Sequence, residues 1–300
     1  MVDRLVEMGH HVRCFDRTFP ASFEERNRVA RGFELFKGDI GSIADIELAV
    51  ERCDVCFHLA STTLPKTSNE DPAFDVESNL LATVRMLAQM ARAKVMRVIY
   101  ASSGGTVYGI PEQIPISENH PTQPTSSYGI CKLATEKYLD LFHQLHGLDY
   151  VALRIANPYG ERQRLTGSQG AVAVFMGRAI RQQPIEIWGD GTVVRDYIHI
   201  DDVVEAMVRS MENTSREKIF NIGSGKGTSL LELLDVVDSV LGRKTERIFQ
   251  PSRTFDVPVN ILSIERANRE LSWRPRISLE EGIRKLADYL HDALDGEKKS

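Results

Sequence analysis

The sequence predicts an α/β protein with a doubly wound parallel sheet, and three observations predict it. Short apolar runs alternate with stretches of helical period along the first 155 or so residues. That alternation is the mark of strands joined by crossover helices. A length of 300 residues, with 42% hydrophobic and 26% charged side chains, suffices for one large core or two adjoining ones. Polar residues close the strand-like runs, at Asp16, Asp39, His58 to Ser61, Ser102 to Gly105 and Asn157. In open α/β sheets ligands bind outside those carboxyl ends, so these are the positions to inspect.

In chain order, residues 1–9 read as a helix stopped by Gly9, and HHVRCFD as the strand that follows. A helical stretch from Ser22, a strand around ELFKGD, a helix over Ser42 to Arg52 and the strand DVCFHLA come next. A long amphipathic helix is expected from Asp71 to Lys94, with Val76, Leu80, Val84, Leu87 and Ala91 on its apolar face. The strand VMRVIYASS, a helix over Ser126 to His146 and the strand YVALRIA complete the regular part. After Asn157 the loop YGERQRLTGSQG opens a second lobe, with helices at AVAVFMGRAIRQQ, DDVVEAMVRSM and SLLELLDVVDSVL and a last one from Leu279. Short strands IEIWG, VVRDYIHI and KIFNIGSG lie between them. No internal repeat is present.

Composition narrows the partners. A formal charge of −5 with scattered Lys and Arg leaves no basic footprint for nucleic acid or an anionic membrane, and neither partner is expected. No apolar run approaches the ~20 residues of a membrane span, and MVDRLVEMGH is charged where a signal peptide is apolar, so the cytoplasm is the expected compartment. Cys53 and Cys56 form a CxxC inside an apolar run, but no second Cys or His pair stands at zinc spacing. They read as buried thiols, and no metal is expected.

Tyr128 and Lys132 are four apart at the start of a predicted helix, so their side chains share a face. A phenol titrating near 10 serves as a base at neutral pH only with a cationic neighbour, which Lys132 supplies. The YxxxK spacing is joined in order by VIYASSGGTVYG, PTQPTSSYGICK and RIANPYG. With these motifs the chain resembles the extended short-chain dehydrogenase/reductases, in their sugar-nucleotide epimerase and dehydratase branch, from residue 1 to about 290.

The resemblance implies a Rossmann-type NAD-binding domain over 1–156 and a smaller substrate-binding lobe over 157–300, with parts of about 192–224 returning to the first. It implies NAD, a nucleotide-sugar substrate that is most simply a UDP-sugar, and a homodimer formed through the two long helices. Tyr128 would take the 4-hydroxyl proton while hydride leaves C4, and the 4-keto sugar would turn over before hydride returns. A serine on the strand end before VYG would bond the reacting hydroxyl. Ser103 is the choice, with a bulge at Gly104 and Gly105 to bring it to the site, and Ser102 is the reserve. The dehydratase branch carries an Asp-Glu pair before VYG, where Gly105 and Thr106 stand here, so dehydration is disfavoured.

Asp16 ends a strand where dinucleotide folds place a carboxylate on the adenosine ribose, which favours NAD over NADP; the neighbouring Arg17 would tolerate a phosphate. By resemblance Asp39 and Ile40 meet adenine, His58, Leu59 and Ala60 flank the nicotinamide half, and Asn79 lies in the central helix. Asn157, Arg195, Arg253 and Asp256 would hold the diphosphate and nucleoside, for which the planar guanidinium is suited. At Asn260, relatives restricted to UDP-glucose carry a bulky tyrosine; the smaller Asn predicts that UDP-GlcNAc and UDP-GalNAc are accepted beside UDP-Glc and UDP-Gal.

A different expectation comes from the first residues. A dinucleotide fold opens with a strand and a Gly-rich turn that receives the pyrophosphate. Here residues 1–9 already read as the later turns of the helix that follows, and no GxGxxG or GxxGxxG precedes them. Either an in-frame strand and Gly-rich loop stand upstream, or the chain is a truncated nucleotide-sugar binding protein with impaired catalysis. A related reductase, decarboxylase or dehydratase is the remaining alternative.

Overall fold

The computed structural model describes residues 1–21, 23–24, 33–163, 165, 170–252 and 257–297. They fall into two compact units, one of Met1–Ser102, Pro124–Leu153 and Met207–Lys218, the other of Ser103–Gln123, Arg154–Ala206 and Ile219–Ser300.

In the first unit, helix α1 (Val2–Glu7) leads through Gly9, whose φ of +85° only glycine adopts cheaply, into β1 (Val12–Asp16). Strand β2 (Phe33–Lys37) pairs with β1 in parallel, Asp16 opposite Lys37. Helix α2 (Ile43–Val50) starts at Ser42, whose hydroxyl accepts the Asp45 amide at 3.3 Å, and leads to β3 (Val55–His58). The helix expected from Ser22 lies largely outside the described residues.

The long helix is capped by Asp71, which accepts from the Phe74 amide at 2.9 Å, with Pro72 in its first turn. It is not one α-helix. Helix α3 (Pro72–Asp75) passes through a π-helical stretch, Val76–Leu81, into α4 (Ala82–Ala93), which ends on Lys94 in the left-handed conformation. Widened turns shift the face that later residues present. The expected apolar stripe is corrected accordingly: Val76 is 43% exposed, while Asp75, Thr83, Met86, Leu87 and Met90 are buried.

Strand β4 (Arg97–Ser103) runs parallel to β3, and β5 (Asp149–Ile155) lies on its other side. Helix α5 (Ser127–His146) connects β4 to β5 and stops at Gly147, φ +69°. Ion pairs secure the far end of the sheet. Arg97 grips Asp149 at 2.6 Å and also donates to the carbonyls of Ser210, Met211 and Asn213, which terminate the helix Ile200–Met211. A guanidinium there satisfies orphan carbonyls and opposes the negative helix end.

In the second unit, β6 (Asn157–Tyr159) and β12 (Val259–Asn260) pair in parallel with β8 (Val194–His199), and β10 (Gly227–Ser229) pairs antiparallel with it. Strands β7 (Ile185–Trp188) and β11 (Arg247–Gln250) form a parallel pair. Helices α6 (Ala171–Ile180), α8 (Leu230–Leu241) and α10 (Leu279–Glu297) bury one apolar core through Phe175, Met176, Leu233, Leu234, Ile283 and Leu286. Between α7 (Ile200–Met211) and α8 runs β9 (Ile219–Ile222), and α9 (Glu265–Leu271) precedes Trp273. Strands β6, β10, β11 and β12 and helix α9 were not expected, since two to seven residues carry too little periodicity to read. No helix among the described residues is long and apolar enough to cross a membrane.

Candidate active site

The end of β3 and the loop after it, Tyr100 of β4, one side of the long helix and the first turns of α5 enclose one small space in the first unit. Its walls include Ser61, Asp75, Asn79, Tyr100, Tyr128 and Lys132. Both members of the YxxxK pair therefore line one space.

The start of α5 is built to hold Tyr128. Ser126 accepts the Gly129 amide at 3.2 Å; the Ser127 amide donates to Asn69 Oδ1 at 2.9 Å and the Tyr128 amide to Ser68 Oγ at 3.0 Å. Three amides that an α-helix leaves unbonded are thus satisfied by one side chain of α5's own cap and two of the 3₁₀ turn Thr67–Asn69. One turn on, the buried Lys132 donates to the Ala101 carbonyl at 2.8 Å, and its Nζ lies 5.0 Å from the Tyr100 ring centroid and 5.4 Å from that of Tyr128.

Lys132 was expected to lower the phenol's pKa. The protein's own groups do the opposite: burial, then the charge of Asp75, push Tyr128 up to about 12, and a hydrogen bond with Ser61 only partly offsets them. Lys132 is brought down to about 8 by its own burial, against Asp75, which favours its charged form. Its ammonium is spent on a carbonyl and on ring faces, not on the phenol oxygen.

Asn79 bonds inward. Its Nδ2 donates to Thr63 Oγ1 at 3.0 Å and Asp75 Oδ1 at 2.8 Å, while its Oδ1 accepts the Thr62 amide at 2.9 Å, which shapes the loop after β3. His58 is buried, stacked on Tyr100, with Nε2 2.8 Å from Thr83 Oγ1; burial and then Lys132 lower its pKa to about 3, so the ring is neutral. Leu59 and Ala60, next along, are exposed at the strand end.

At the end of β1, exposed Asp16 accepts the Arg17 amide at 2.7 Å and thereby makes its own turn; Arg17 is exposed beside it. After β2, Asp39 accepts the Gly41 amide at 2.7 Å, its own amide is held by Asp45 at 2.9 Å, and Ile40 follows half-buried. A carboxylate after each of two adjacent parallel strands, with an apolar residue next to the second, fits the ribose hydroxyls and adenine of a dinucleotide.

The two serines diverge. Ser102 is buried and bonded to Glu136 at 2.5 Å, so the reserve is committed to α5. Ser103 is the last residue of β4, and successive strand side chains point to opposite faces. The expected bulge is replaced by a turn: the Thr106 and Val107 amides donate to the Ser103 carbonyl at 3.4 and 3.2 Å. Gly104 is glycine for packing, since a Cβ there would come within 2.5 Å of Leu262 and 3.0 Å of the Arg154 carbonyl.

In the second unit Asn157 donates to the Asp196 carbonyl at 3.1 Å, and Arg195 donates to the Val194 and Val257 carbonyls at 2.9 and 2.6 Å. Asn260 is buried and donates to the Gly104 carbonyl at 3.1 Å; its Oδ1 has no hydrogen-bond partner among the described residues. Arg253 and Asp256 lie outside the described residues. Cys14, Cys53, Cys56 and Cys131 are free thiols, burial raising Cys56 to about 12, and no cluster of metal-ligating side chains occurs among the described residues.

Sequence reasoning did not single out Asp75, Thr63 or Ser127. One signal was present: Asp75, Asn79 and Thr83 repeat at intervals of four, a polar column on a helix read for its apolar face.

Comparison with known proteins gives the family. Residues 1–223 match the model of the NAD dependent epimerase/dehydratase family. The chain is 37% identical over 296 residues to a UDP-glucose 4-epimerase of Mycolicibacterium smegmatis, covering 97% of this chain and 94% of the relative. It is 40% identical over 230 residues to a dTDP-4-dehydro-6-deoxyglucose reductase of Escherichia coli, covering 76% and 72%. The solved UDP-glucose 4-epimerase of Thermotoga maritima with UDP-glucose superposes with a TM-score of 0.91 at 35% identity, over 98% of this chain and 94% of that one. The motifs, the Rossmann-type strands and the matched length together make this chain a member of the NAD-dependent epimerase/dehydratase family.

Proposed function

We propose that this protein is an NAD-dependent nucleotide-sugar 4-epimerase acting on UDP-Glc and UDP-Gal. The observation that carries the reading is Tyr128 and Lys132 lining one cleft at the strand ends, with the α5 amides bonded to fix the tyrosine's place. Asp16 and Asp39 would hold the adenosine half, and Ile40, Leu59, Ala60 and Arg17 would flank the cofactor. Bound there, NAD would supply the hydride acceptor and donor for C4 and a cationic ring. Tyr128 takes the 4-hydroxyl proton and returns it to the C4 oxygen of the keto sugar, and Lys132, near the Tyr128 ring, keeps a positive charge close by between the two events. Ser103 bonds the reacting hydroxyl. Asn157, Arg195, Arg253 and Asp256 hold the diphosphate and nucleoside, arginine by its planar fork.

The reading extends to UDP-GlcNAc and UDP-GalNAc by resemblance, because Asn260 is smaller than the tyrosine of relatives restricted to UDP-glucose. Asn260→Tyr should reduce turnover of the N-acetyl pair about tenfold or more while sparing UDP-Glc; equal losses on both pairs would sink this extension. A homodimer is part of the reading. The side chains of Ile130, Tyr138, Leu141 and Leu145 form an exposed apolar stripe along α5, with Phe74, Val76 and Leu81 exposed on the preceding long helix.

The 40% identity to a reductase supports a second reading, in which a 4-keto sugar is reduced at the cost of one reduced cofactor. The two differ in redox balance. With catalytic NAD, an epimerase converts UDP-Glc to UDP-Gal, seen by proton NMR, with no net change in absorbance at 340 nm. Stoichiometric loss of that absorbance with a 4-keto sugar, and no change in UDP-Glc, would replace the epimerase by the reductase.

A further inference from the structure

Asp75 has no place in the chemistry assigned to Tyr128 and Lys132, yet it is buried against them at 0% exposure. Its Oδ2 accepts from Ser127 Oγ at 2.7 Å, and its Oδ1 accepts from Asn79 Nδ2 at 2.8 Å and from the Thr63 hydroxyl. The Cys131 thiol lines the same space. The donors come from the long helix, the loop after β3 and the first turn of α5, so one carboxyl group joins all three. Every one of them is neutral. A buried carboxylate with neutral partners is costly, whereas an amide of the same shape would satisfy most of these bonds without the charge.

The groups facing it are few. Lys132, Tyr128, Cys131 and Glu136 come from α5, Tyr100 from β4 and His58 from β3, and of these only Lys132 is a cation. We propose that Asp75 is a positioning residue for the Tyr128–Lys132 pair, joining the three elements that frame it and setting a fixed negative charge beside the lysine. The role rests on the assignment of Tyr128 and Lys132 as the reacting pair.

Its chemical sense follows from a proton that must go both ways. A group that removes a proton from one alcohol and restores it to the other works best with a pKa near the working pH. A cationic cofactor ring would favour the phenolate and weaken Tyr128 as an acid. Asp75 opposes that. It favours the ammonium of Lys132 against the burial that lowers its pKa, and it adds to the burial that disfavours the phenolate of Tyr128.

The test is a pH titration of protein carrying [¹³Cζ]tyrosine, with NAD supplied, in which Tyr128→Phe assigns the Tyr128 resonance. Asp75→Asn should move the Tyr128 titration down by about one unit, as loss of a neighbouring like charge does. Asp75→Glu, which retains the charge, should leave it within a few tenths. In the pH profile of kcat/KM for UDP-Glc the acid limb should move with the resonance. A Tyr128 titration unmoved by Asp75→Asn overturns the positioning role even where Tyr128→Phe abolishes turnover. Should wild-type protein turn over no UDP-sugar while the resonance still moves, the assigned reaction fails and the coupling stands. If Asp75→Asn lacks a cooperative melting transition, Asp75→Ser removes the same charge and is read identically. Failure of both to fold assigns Asp75 to stability and overturns the proposal.

Discussion

Tyr128 sits where burial and Asp75 hold its phenol protonated up to about 12. Proton abstraction by it should therefore speed up as pH rises through the neutral range, and the acid limb of kcat/KM should be steep. Tyr128→Phe keeps the ring and its packing and should lower kcat about 10²- to 10⁴-fold with little change in KM, which initial rates on UDP-Glc will check. His58 offers a test of stability at the same scale. Its folded pKa of about 3 lies below the ordinary 6.5, so the folded state takes up its proton only after the unfolded state has done so. The stability it contributes is complete above 6.5 and is lost as pH falls from 6.5 to 3. Between those limits wild-type protein should lose up to about 1.4 kcal/mol per pH unit more than His58→Asn, read from urea melts at successive pH values. Equal slopes for the two proteins would count against a neutral, buried ring.

Among the elements, α5 joins two tasks on two faces. One face carries Ser127, Cys131, Lys132, Thr135 and Glu136 into the protein, and the other leaves Ile130, Tyr138, Leu141 and Leu145 in the open. Four large apolar side chains on one helical stripe are unusual at a free surface and point to a partner helix. If two copies pair through this stripe, Leu141→Glu with Leu145→Glu should yield a monomer by sedimentation equilibrium at micromolar concentration, with its melting temperature nearly unchanged. A monomeric wild-type protein would remove the pairing. The π-helical stretch in the long helix is the other feature of this scale. It turns Asp75 and Asn79 inward and puts Val76 outside, a phase change that heptad or 3.6-residue counting does not foresee.

At the scale of the whole molecule, each unit has a core of its own kind. In the second unit Trp273 is 1% exposed, and its indole donates to the Asp202 carbonyl at 3.0 Å. The Asp202 carboxylate in turn accepts the Arg276 and Ile277 amides at 2.9 and 3.0 Å. Trp273→Ala deletes a fully packed side chain and should cost about 3–5 kcal/mol in chemical denaturation. A loss under about 1 kcal/mol would mean that the site closes over the gap. The net charge of −5 should retain the protein on an anion exchanger at pH 7.5.

What the sequence determined by itself was whatever has a local cause. Periodicity placed the strands Val12–Asp16, Phe33–Lys37, Val55–His58 and Arg97–Ser103, and Ser42, Asp71, Ser126 and Gly9 marked helix ends, because a hydroxyl or carboxylate before a helix, or a glycine after it, acts within a few residues. The spacing of Tyr128 and Lys132 was legible for the same reason. The tertiary structure alone decided the partners. Ser102 turned to Glu136, Asn79 folded onto Thr63, Asp75 came to rest under Ser127 fifty-two residues away, and a phenol expected to ionise easily proved harder to ionise. Desolvation and charge depend on what surrounds an atom in space, and a chain's order does not state its neighbours until it has folded.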